Sequence, residues 1–254
     1  MINTGDTDPT FIETNIPWVA RCIGDDRQQN YLLLDYLFRK QKYERVAIIR
    51  ASNRYGRFGV REIKDGSRRL GHPIVMEMAY KLGAEDVSLQ IDRIAAAEPQ
   101  AIVHWGNGGD GARILRQIRE RGMKQPFFCS DRCVSDEFVE LAGEHAQEVF
   151  STFPWDPERD DPDLDAFREA FVERWGEHPE TYAAHAYDGM NLLNWASQNA
   201  GLNRAKIRDL HAYRSEPWPG VTGDIPFNPV LDDAGEVFFA RWEGDGWRYF
   251  SRQD

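Results

Sequence analysis

The stretch Arg45-Val-Ala-Ile-Ile-Arg50, followed by Ala51-Ser-Asn-Arg-Tyr-Gly56, decides the fold of this chain. The first segment is short, rich in β-branched residues and bounded by charge, which is typical of a strand buried on both faces. A helical pattern then runs from Gly56 to Leu70, and Gly71-His-Pro73 ends it. The sequence therefore predicts a β-turn-α unit, with a polar turn at the carboxyl end of the strand.

The same alternation of strand and helix extends from Asp25 to about Gly143. Further strands are predicted at Ile74–Tyr80, Gln100–Trp105, Pro126–Cys129 and Glu148–Phe153. Helical patterns separate most of them, including one from Gly111 to Arg121. This order implies an α/β fold with a parallel sheet, right-handed crossovers and helices on both faces.

The pattern changes after residue 148. Two strong helices are predicted, Leu164 to Trp175 and Pro179 to Asn199, and a terminal hairpin pairs Glu236–Trp242 with Trp247–Phe250. Helices outnumber strands here, so this part of the chain lacks a sheet of its own for the helices to cover.

Composition restricts the class of function. The 254 residues are 41% hydrophobic and 12% aromatic, as expected of a folded protein. The formal net charge of −11 argues against a nucleic-acid partner, which would require clustered positive charge. No apolar run is long enough for membrane insertion, and the first ten residues have neither the basic region nor the apolar core of a signal peptide.

Catalytic and metal-binding motifs are absent from the sequence. The six histidines show no HxxxH or HExxH spacing, and no GxSxG elbow or GxxxxGK[ST] loop occurs. We therefore expect no catalytic residue, no metal and no cofactor. Cys22, Cys129 and Cys133 are predicted to be buried thiols, and the pairing of Cys129 with Cys133 stays open.

Three predicted strand ends carry the candidate binding residues. In an open parallel α/β sheet, ligands bind at the carboxyl ends of the strands. Tyr55, Asn107 and Asp131 each follow one of the predicted strands. A phenol, a carboxamide and a carboxylate can hydrogen-bond a zwitterion and neutralise an ammonium group, but they include no activated nucleophile with its base.

The segment Gly106-Asn-Gly-Gly-Asp-Gly111 supports an alternative from another class. It matches GxGxxG, follows a strand and opens a helix, as in the dinucleotide-binding unit of an NAD-dependent oxidoreductase. Asp110 argues against that function, because it places negative charge where a pyrophosphate needs the positive end of a helix.

Nine parts of the sequence share features with one known family: Thr4–Thr10, Pro17–Arg21, Asp25–Gln29, Val46–Ile49, Tyr55–Gly56, Gly83–Asp86, Arg116–Arg119 with Gly122, Tyr182–Asp188 and Gly220–Phe227. Together they resemble the leucine/isoleucine/valine-binding proteins of ABC transporters, and the resemblance covers essentially the whole chain. The resemblance implies a periplasmic binding protein-like clamshell of two α/β lobes that close on a ligand, with permease subunits as partners and a periplasmic or other extracytoplasmic location.

The resemblance also implies a domain organisation. Residues 1–16 would be a remnant of lobe 1 and the hinge, residues 17–148 the complete lobe 2, and residues 149–254 the hinge return and the helix-rich C-terminal part of lobe 1. Most of lobe 1 would then lie upstream of this sequence, and we expect the chain alone to bind ligand weakly or not at all.

Carried over by position, the ligand contacts of the family fall on six residues in two groups. These are Gly5, Asp6 and Thr7, and the strand-end residues Tyr55, Asn107 and Asp131. Asp6 replaces a small residue and Asn107 a frequent aromatic residue, so the expected ligand is a polar amino acid, an amide or a similar small zwitterion. A regulatory or receptor sensor domain of the same fold is a further alternative.

Overall fold

The computed structural model describes residues 1–14 and 16–252. The chain forms two compact units. Unit 1 comprises Met1–Asp25 and Pro154–Glu236, and unit 2 comprises Asp26–Phe153 and Val237–Asp254. Within the described residues, none of the helices combines the length and apolar character that crossing a membrane requires.

The strands and α-helices are numbered in chain order. The strands are β1 (Ile2–Asn3), β2 (Ala20–Arg21), β3 (Val46–Ala51), β4 (Met76–Tyr80), β5 (Ala101–Trp105), β6 (Phe127–Cys129), β7 (Phe150–Phe153), β8 (Trp218–Gly220), β9 (Gly223–Ile225), β10 (Phe238–Trp242) and β11 (Trp247–Phe250). The α-helices are α1 (Thr10–Glu13), α2 (Asp26–Asp35), α3 (Arg54–Arg69), α4 (Ser88–Ala96), α5 (Gly108–Glu120), α6 (Asp136–Ala142), α7 (Pro162–Trp175), α8 (Thr181–Ala200) and α9 (Arg204–Ala212).

Unit 2 is built on one sheet with the strand order β11-β10-β7-β6-β5-β3-β4. Strands β4, β3, β5, β6 and β7 are parallel, and β10 and β11 are antiparallel. The predicted α/β sheet with helices on both faces is confirmed, although the sheet is mixed. In this sheet β4 lies on one side of β3 and β5 lies on the other side. The direction in which successive strands are added therefore reverses between β3 and β5, and the carboxyl ends of these two strands flank a topological switch point.

The core of unit 2 explains why β3 and β5 are central. Val46 and Ile48 on β3 and Val103 and Trp105 on β5 are fully buried with apolar residues of α2 and α3. Such continuous apolar strands require cover on both faces, which the crossover helices provide. The polar residues that follow these strands are therefore held at one edge of a rigid layer.

The terminal hairpin differs from the prediction, which assigned residues 149–254 to lobe 1. Strand β10 pairs with β7, with Phe239 opposite Thr152, so residues 237–254 belong to unit 2. Pairing a terminal strand across many residues of sequence depends on non-local contacts that the local pattern does not encode. Pro179 also lies outside its predicted helix, because α8 begins only at Thr181, after the extended residue Glu180.

Unit 1 consists mainly of α7, α8 and α9, with two short strand pairs. Strands β1 and β2 are parallel, and β8 and β9 form a hairpin. Asp188 of α8 holds that hairpin, because its carboxylate accepts hydrogen bonds from the backbone N–H groups of Val221 and Thr222 at 2.8 and 2.9 Å. Asp188 therefore ties the β8–β9 hairpin to α8.

The packing of the hairpin yields a stability prediction. Phe239 is 3% exposed and contacts the rings of Tyr36 and Phe250. We expect Phe239→Ala to lower the free energy of unfolding by about 3–5 kcal/mol, because it leaves a cavity between β10 and the rings of Tyr36 and Phe250. Urea denaturation monitored by circular dichroism measures this. Leu89→Ala on the same unit, 64% exposed, is the control and should change stability by less than about 0.5 kcal/mol. Equal effects of the two variants would contradict the placement of the hairpin.

Candidate ligand-binding site

The turn after β3 positions Tyr55 in the first turn of α3. Asn53 caps this helix, since its side chain accepts a hydrogen bond from the N–H of Gly56 at 2.9 Å. A side chain at Gly56 would lie 2.1 Å from the carbonyl oxygen of Ala51, so only glycine permits this tight exit from the strand. The ring of Tyr55 is thereby directed over the carboxyl end of β5, where its centre lies 5.9 Å from the centre of the Trp105 ring.

Tyr55 and Asp131 form the central contact of the site. The Tyr55 hydroxyl donates a hydrogen bond of 2.6 Å to Oδ1 of Asp131, which opens a 3-10 turn after β6. Burial raises the pKa of the Tyr55 phenol well above its usual value, and the negative charges of Asp131 and Asp26 raise it further. The phenol therefore remains neutral and acts as a donor, which fixes one oxygen of the carboxylate.

Asn107 and Arg132 complete this group. Nη1 of Arg132 donates to Oδ1 of Asn107 at 3.0 Å, and the guanidinium carbon lies 3.9 Å from the centre of the Tyr55 ring. Asn107 is the N-cap residue of α5, yet its side chain makes no capping hydrogen bond. The structure thus brings Tyr55, Asn107 and Asp131 into one cluster, which we call the strand-end cluster, with Arg132 as a fourth member.

Arg132 was not predicted from the sequence to be a residue of the binding site. It directly follows Asp131 in the turn after β6, and that position was the available signal. Ser130, the residue before Asp131, ties two turns together, because its hydroxyl donates to the carbonyl oxygen of Gly106 at 2.9 Å. This bond holds the ends of β5 and β6 at a fixed separation.

The glycines of Gly106–Gly111 are explained by packing within unit 2. A Cβ at Gly106 would lie 2.2 Å from the Tyr80 hydroxyl, and one at Gly111 would lie 2.9 Å from the ring of His104. A Cβ at Gly108 would lie 2.7 Å from the carbonyl oxygen of Arg132. Close approach of protein groups accounts for all three positions.

Asp110 further disfavours the oxidoreductase alternative. It lies buried in the first turn of α5, accepts a hydrogen bond from the N–H of Gly83 and forms an ion pair with Arg113. A carboxylate thus occupies the end of the helix that a pyrophosphate would require.

The second predicted group, Gly5, Asp6 and Thr7, lies in unit 1. Oδ1 of Asn3 accepts hydrogen bonds from the backbone N–H groups of Gly5 and Asp6 at 3.1 and 2.9 Å. These two backbone donors are therefore already used within the loop. Thr7 is 4% exposed, whereas Asp6 is exposed.

A buried arginine supports this loop. Nη1 of Arg21 donates to the carbonyl oxygens of Asp6 and Asp8 at 3.2 and 2.9 Å, on either side of Thr7. The same guanidinium forms two hydrogen bonds of 2.7 Å with Asp232 and one of 3.0 Å with Asp25. Because the arginine side chain is fully buried, these paired charges are needed to offset its loss of hydration.

The cysteines and metal-ligand candidates add no chemistry to the site. Cys22, Cys129 and Cys133 are free, buried thiols. In the described ranges, no three or more His, Cys, Asp or Glu side chains are grouped so that they could hold a metal ion. His104 is packed between Tyr80 and Cys133, and burial lowers its pKa to about 3. It is therefore a neutral core residue.

Known proteins agree with this architecture. A family described as periplasmic binding protein matches residues 1–238. The Leu/Ile/Val-binding protein homolog 2 of Brucella abortus is 30% identical over 98% of this chain and 67% of its own length. Homolog 1 from the same organism is 29% identical over 95% of this chain and 65% of its own length. A crystal structure of the leucine-binding protein LivK from Thermotoga maritima superposes with a TM-score of 0.89 at 21% identity, covering 99% of this chain and 72% of that one. The chain belongs to the periplasmic binding protein family and has its type I fold.

The relatives also bear on function and length. The family is one of solute-binding proteins, which agrees with the expectation that the chain is not an enzyme and does not favour the oxidoreductase alternative. The chain spans 65% of the length of homolog 1 and 67% of the length of homolog 2, which is about two thirds of the length of each relative.

The packing of the glycine segment yields a second prediction. We expect Gly106→Ala to destabilise the protein by about 1–3 kcal/mol, because the methyl group has no space beside Tyr80. Gly109→Ala is the matched control. Its methyl group would meet the movable end of the exposed Glu137 and make an ordinary contact with Leu141, and alanine favours the helix. Urea denaturation midpoints compare the two, and a Gly106 variant as stable as the Gly109 variant would refute this explanation of the motif.

Asp233 near Arg21 yields a prediction of pH dependence. Burial raises the pKa of Asp233 to about 7, and the charges of Asp232 and Asp188 act in the same direction. Its unfolded pKa is about 3.9, so its contribution to stability is full below that value and is lost as the pH rises toward 7. Asp233→Asn should therefore stabilise the protein more at pH 8 than at pH 5, by a few kcal/mol at most.

The control for this experiment is Asp224→Asn, which removes the charge of an exposed carboxylate in the neighbouring strand β9. Urea denaturation of both variants at pH 5 and pH 8 gives the comparison. If the gain from Asp233→Asn did not increase with pH, or if Asp224→Asn gave the same increase, the assignment to Asp233 would be wrong.

Proposed function

We propose that this protein is the substrate-binding component of an ABC transporter and that it binds a small amino acid at the strand-end cluster. The observation that carries the proposal is the hydrogen bond between the neutral Tyr55 phenol and Asp131. It holds a carboxylate at the carboxyl edge of a parallel sheet, next to the switch point between β3 and β5. A carboxylate in that position can pair with the ammonium group of an amino acid.

The family supports an amino acid as the ligand. Its curated relatives in Brucella abortus are named for binding leucine, isoleucine and valine. The strand-end cluster is more polar than a branched aliphatic side chain requires, since Asn107, Asp131 and Arg132 all contribute to it. We therefore propose a polar amino acid, or an amide of similar size, as the preferred ligand of this chain.

Gly5, Asp6 and Thr7 are proposed as further ligand contacts, with the Thr7 hydroxyl as the main contributor. The backbone N–H groups of Gly5 and Asp6 are bonded to Asn3, so the hydroxyl of Thr7 is the better candidate. Permease subunits are the proposed protein partners, and the proposed location is extracytoplasmic, in line with the family.

The proposal predicts the effect of changes at the central contact. We propose that the chain binds weakly rather than not at all, so at least one amino acid from a panel of the twenty should shift the amide NMR resonances of Tyr55, Asn107 and Asp131. Asp131→Asn should weaken that binding about tenfold or more, because it removes a charge-assisted contact with the ammonium group. Tyr55→Phe should weaken binding less, because the carboxylate remains but loses its positioning donor.

The matched control is Asp136→Asn, which removes an exposed carboxylate from the first turn of α6 and should leave binding unchanged. Titration to about 10 mM ligand detects even dissociation constants near 1 mM, which correspond to only about −4 kcal/mol. The proposal fails if no amino acid shifts these resonances at that concentration.

A further inference from the structure

Arg132 determines which end of the Asn107 carboxamide is available to a ligand. A guanidinium group has only N–H donors, so the atom of Asn107 that faces it must be the oxygen. The observed bond from Nη1 of Arg132 to Oδ1 of Asn107, at 3.0 Å, has this arrangement. The amide nitrogen of Asn107 must then point away from Arg132.

The rest of the turn leaves that nitrogen unused. Asn107 is an exposed residue at the N-cap of α5, but its side chain does not cap the helix. Among the described residues, its Nδ2 has no hydrogen-bond partner. An asparagine at an N-cap ordinarily uses its oxygen for the backbone N–H groups of the first turn, and here that oxygen is engaged by Arg132 instead.

Arg132 is itself fixed in position. Its guanidinium lies over the Tyr55 ring, with Cζ 3.9 Å from the ring centre, in a cation–π contact. The carbonyl oxygen of Arg132 is also closely packed against Gly108, the residue after Asn107. The ring contact holds the guanidinium beside Asn107, and the bond from Arg132 then selects one amide orientation.

We infer that Arg132 is a positioning residue that makes Asn107 a dedicated N–H donor, and that the ligand carries a hydrogen-bond acceptor on its side chain. This inference rests on the proposed function, in which Asp131 takes the ammonium group of the same amino acid. A side-chain carboxylate or carboxamide supplies such an acceptor, and an aliphatic side chain does not. The expected substrate class is therefore amino acids such as glutamate or glutamine.

The test compares three probes that share one amino-acid backbone: L-glutamate, L-glutamine and L-norleucine. We expect the wild-type chain to bind glutamate and glutamine about tenfold more tightly than norleucine. Asn107→Asp keeps the shape and the bond to Arg132 but removes the N–H donor. This variant should lose glutamate binding by about tenfold or more and retain glutamine, whose own amide can donate to the new carboxylate.

Arg132→Met tests the positioning role separately. Without the guanidinium, either end of the Asn107 amide can face the ligand, and the donor orientation then holds about half of the population. The preference for glutamate over norleucine should therefore fall about twofold, while Asp131 remains available. Arg116→Met, on the exposed surface of α5, is the control and should leave the preference intact. Thermal unfolding of each variant establishes that it is folded. If Asn107→Asp fails to fold, the change in preference caused by Arg132→Met alone tests the inference.

The outcomes separate the two proposals. If none of the probes and no other amino acid binds, the proposed function itself fails. If amino acids bind but norleucine competes equally with glutamate, or if neither Asn107→Asp nor Arg132→Met changes the relative affinities for the three probes, only the inference about Arg132 is overturned.

Discussion

The register of β5 between its two parallel neighbours is the constraint on which the candidate site depends. Trp105 lies opposite Arg50 of β3, and His104 lies opposite Cys129 of β6. The turns after the three strands therefore begin at the same level. A slip of one residue would exchange the two faces of β5 and turn His104 toward the apolar core that Val103 and Trp105 occupy. The same burial that stabilises the sheet thus sets the relative positions of Tyr55, Asn107 and Asp131.

Placing polar groups at this edge has an energetic consequence for ligand choice. An aliphatic side chain bound against Asn107 would remove its amide from water without replacing its hydrogen bonds, at a cost of about 1–3 kcal/mol. A polar ligand replaces those bonds. The electrostatics of the cluster support the same conclusion, because the neutral Tyr55 donates to Asp131 and leaves the negative charge in place for a cation.

The sequence predicted the local parts of this arrangement better than the non-local parts. β3 and β5 were recognisable because buried parallel strands are continuous apolar runs, and Tyr55, Asn107 and Asp131 followed from their positions after such runs. The attachment of β10 to β7 could not be predicted in this way, since it joins distant segments. The bonds from Gly5 and Asp6 to Asn3 were missed for a different reason. A short polar loop has several possible hydrogen-bond patterns, and periodicity does not distinguish them.

The segment Gly106–Gly111 shows why a glycine motif alone does not identify a ligand. Glycine indicates that some group approaches the backbone closely, but the pattern does not reveal which group. In a dinucleotide-binding turn that group is a pyrophosphate, whereas here Tyr80, His104 and the carbonyl of Arg132 fill the space. The informative residues are the ones between the glycines. Asp110 brings negative charge to the start of α5, and Asn107 gives its oxygen to Arg132. The first feature disfavours a pyrophosphate at the helix end. The second leaves the amide nitrogen of Asn107 as the donor that we propose for the ligand.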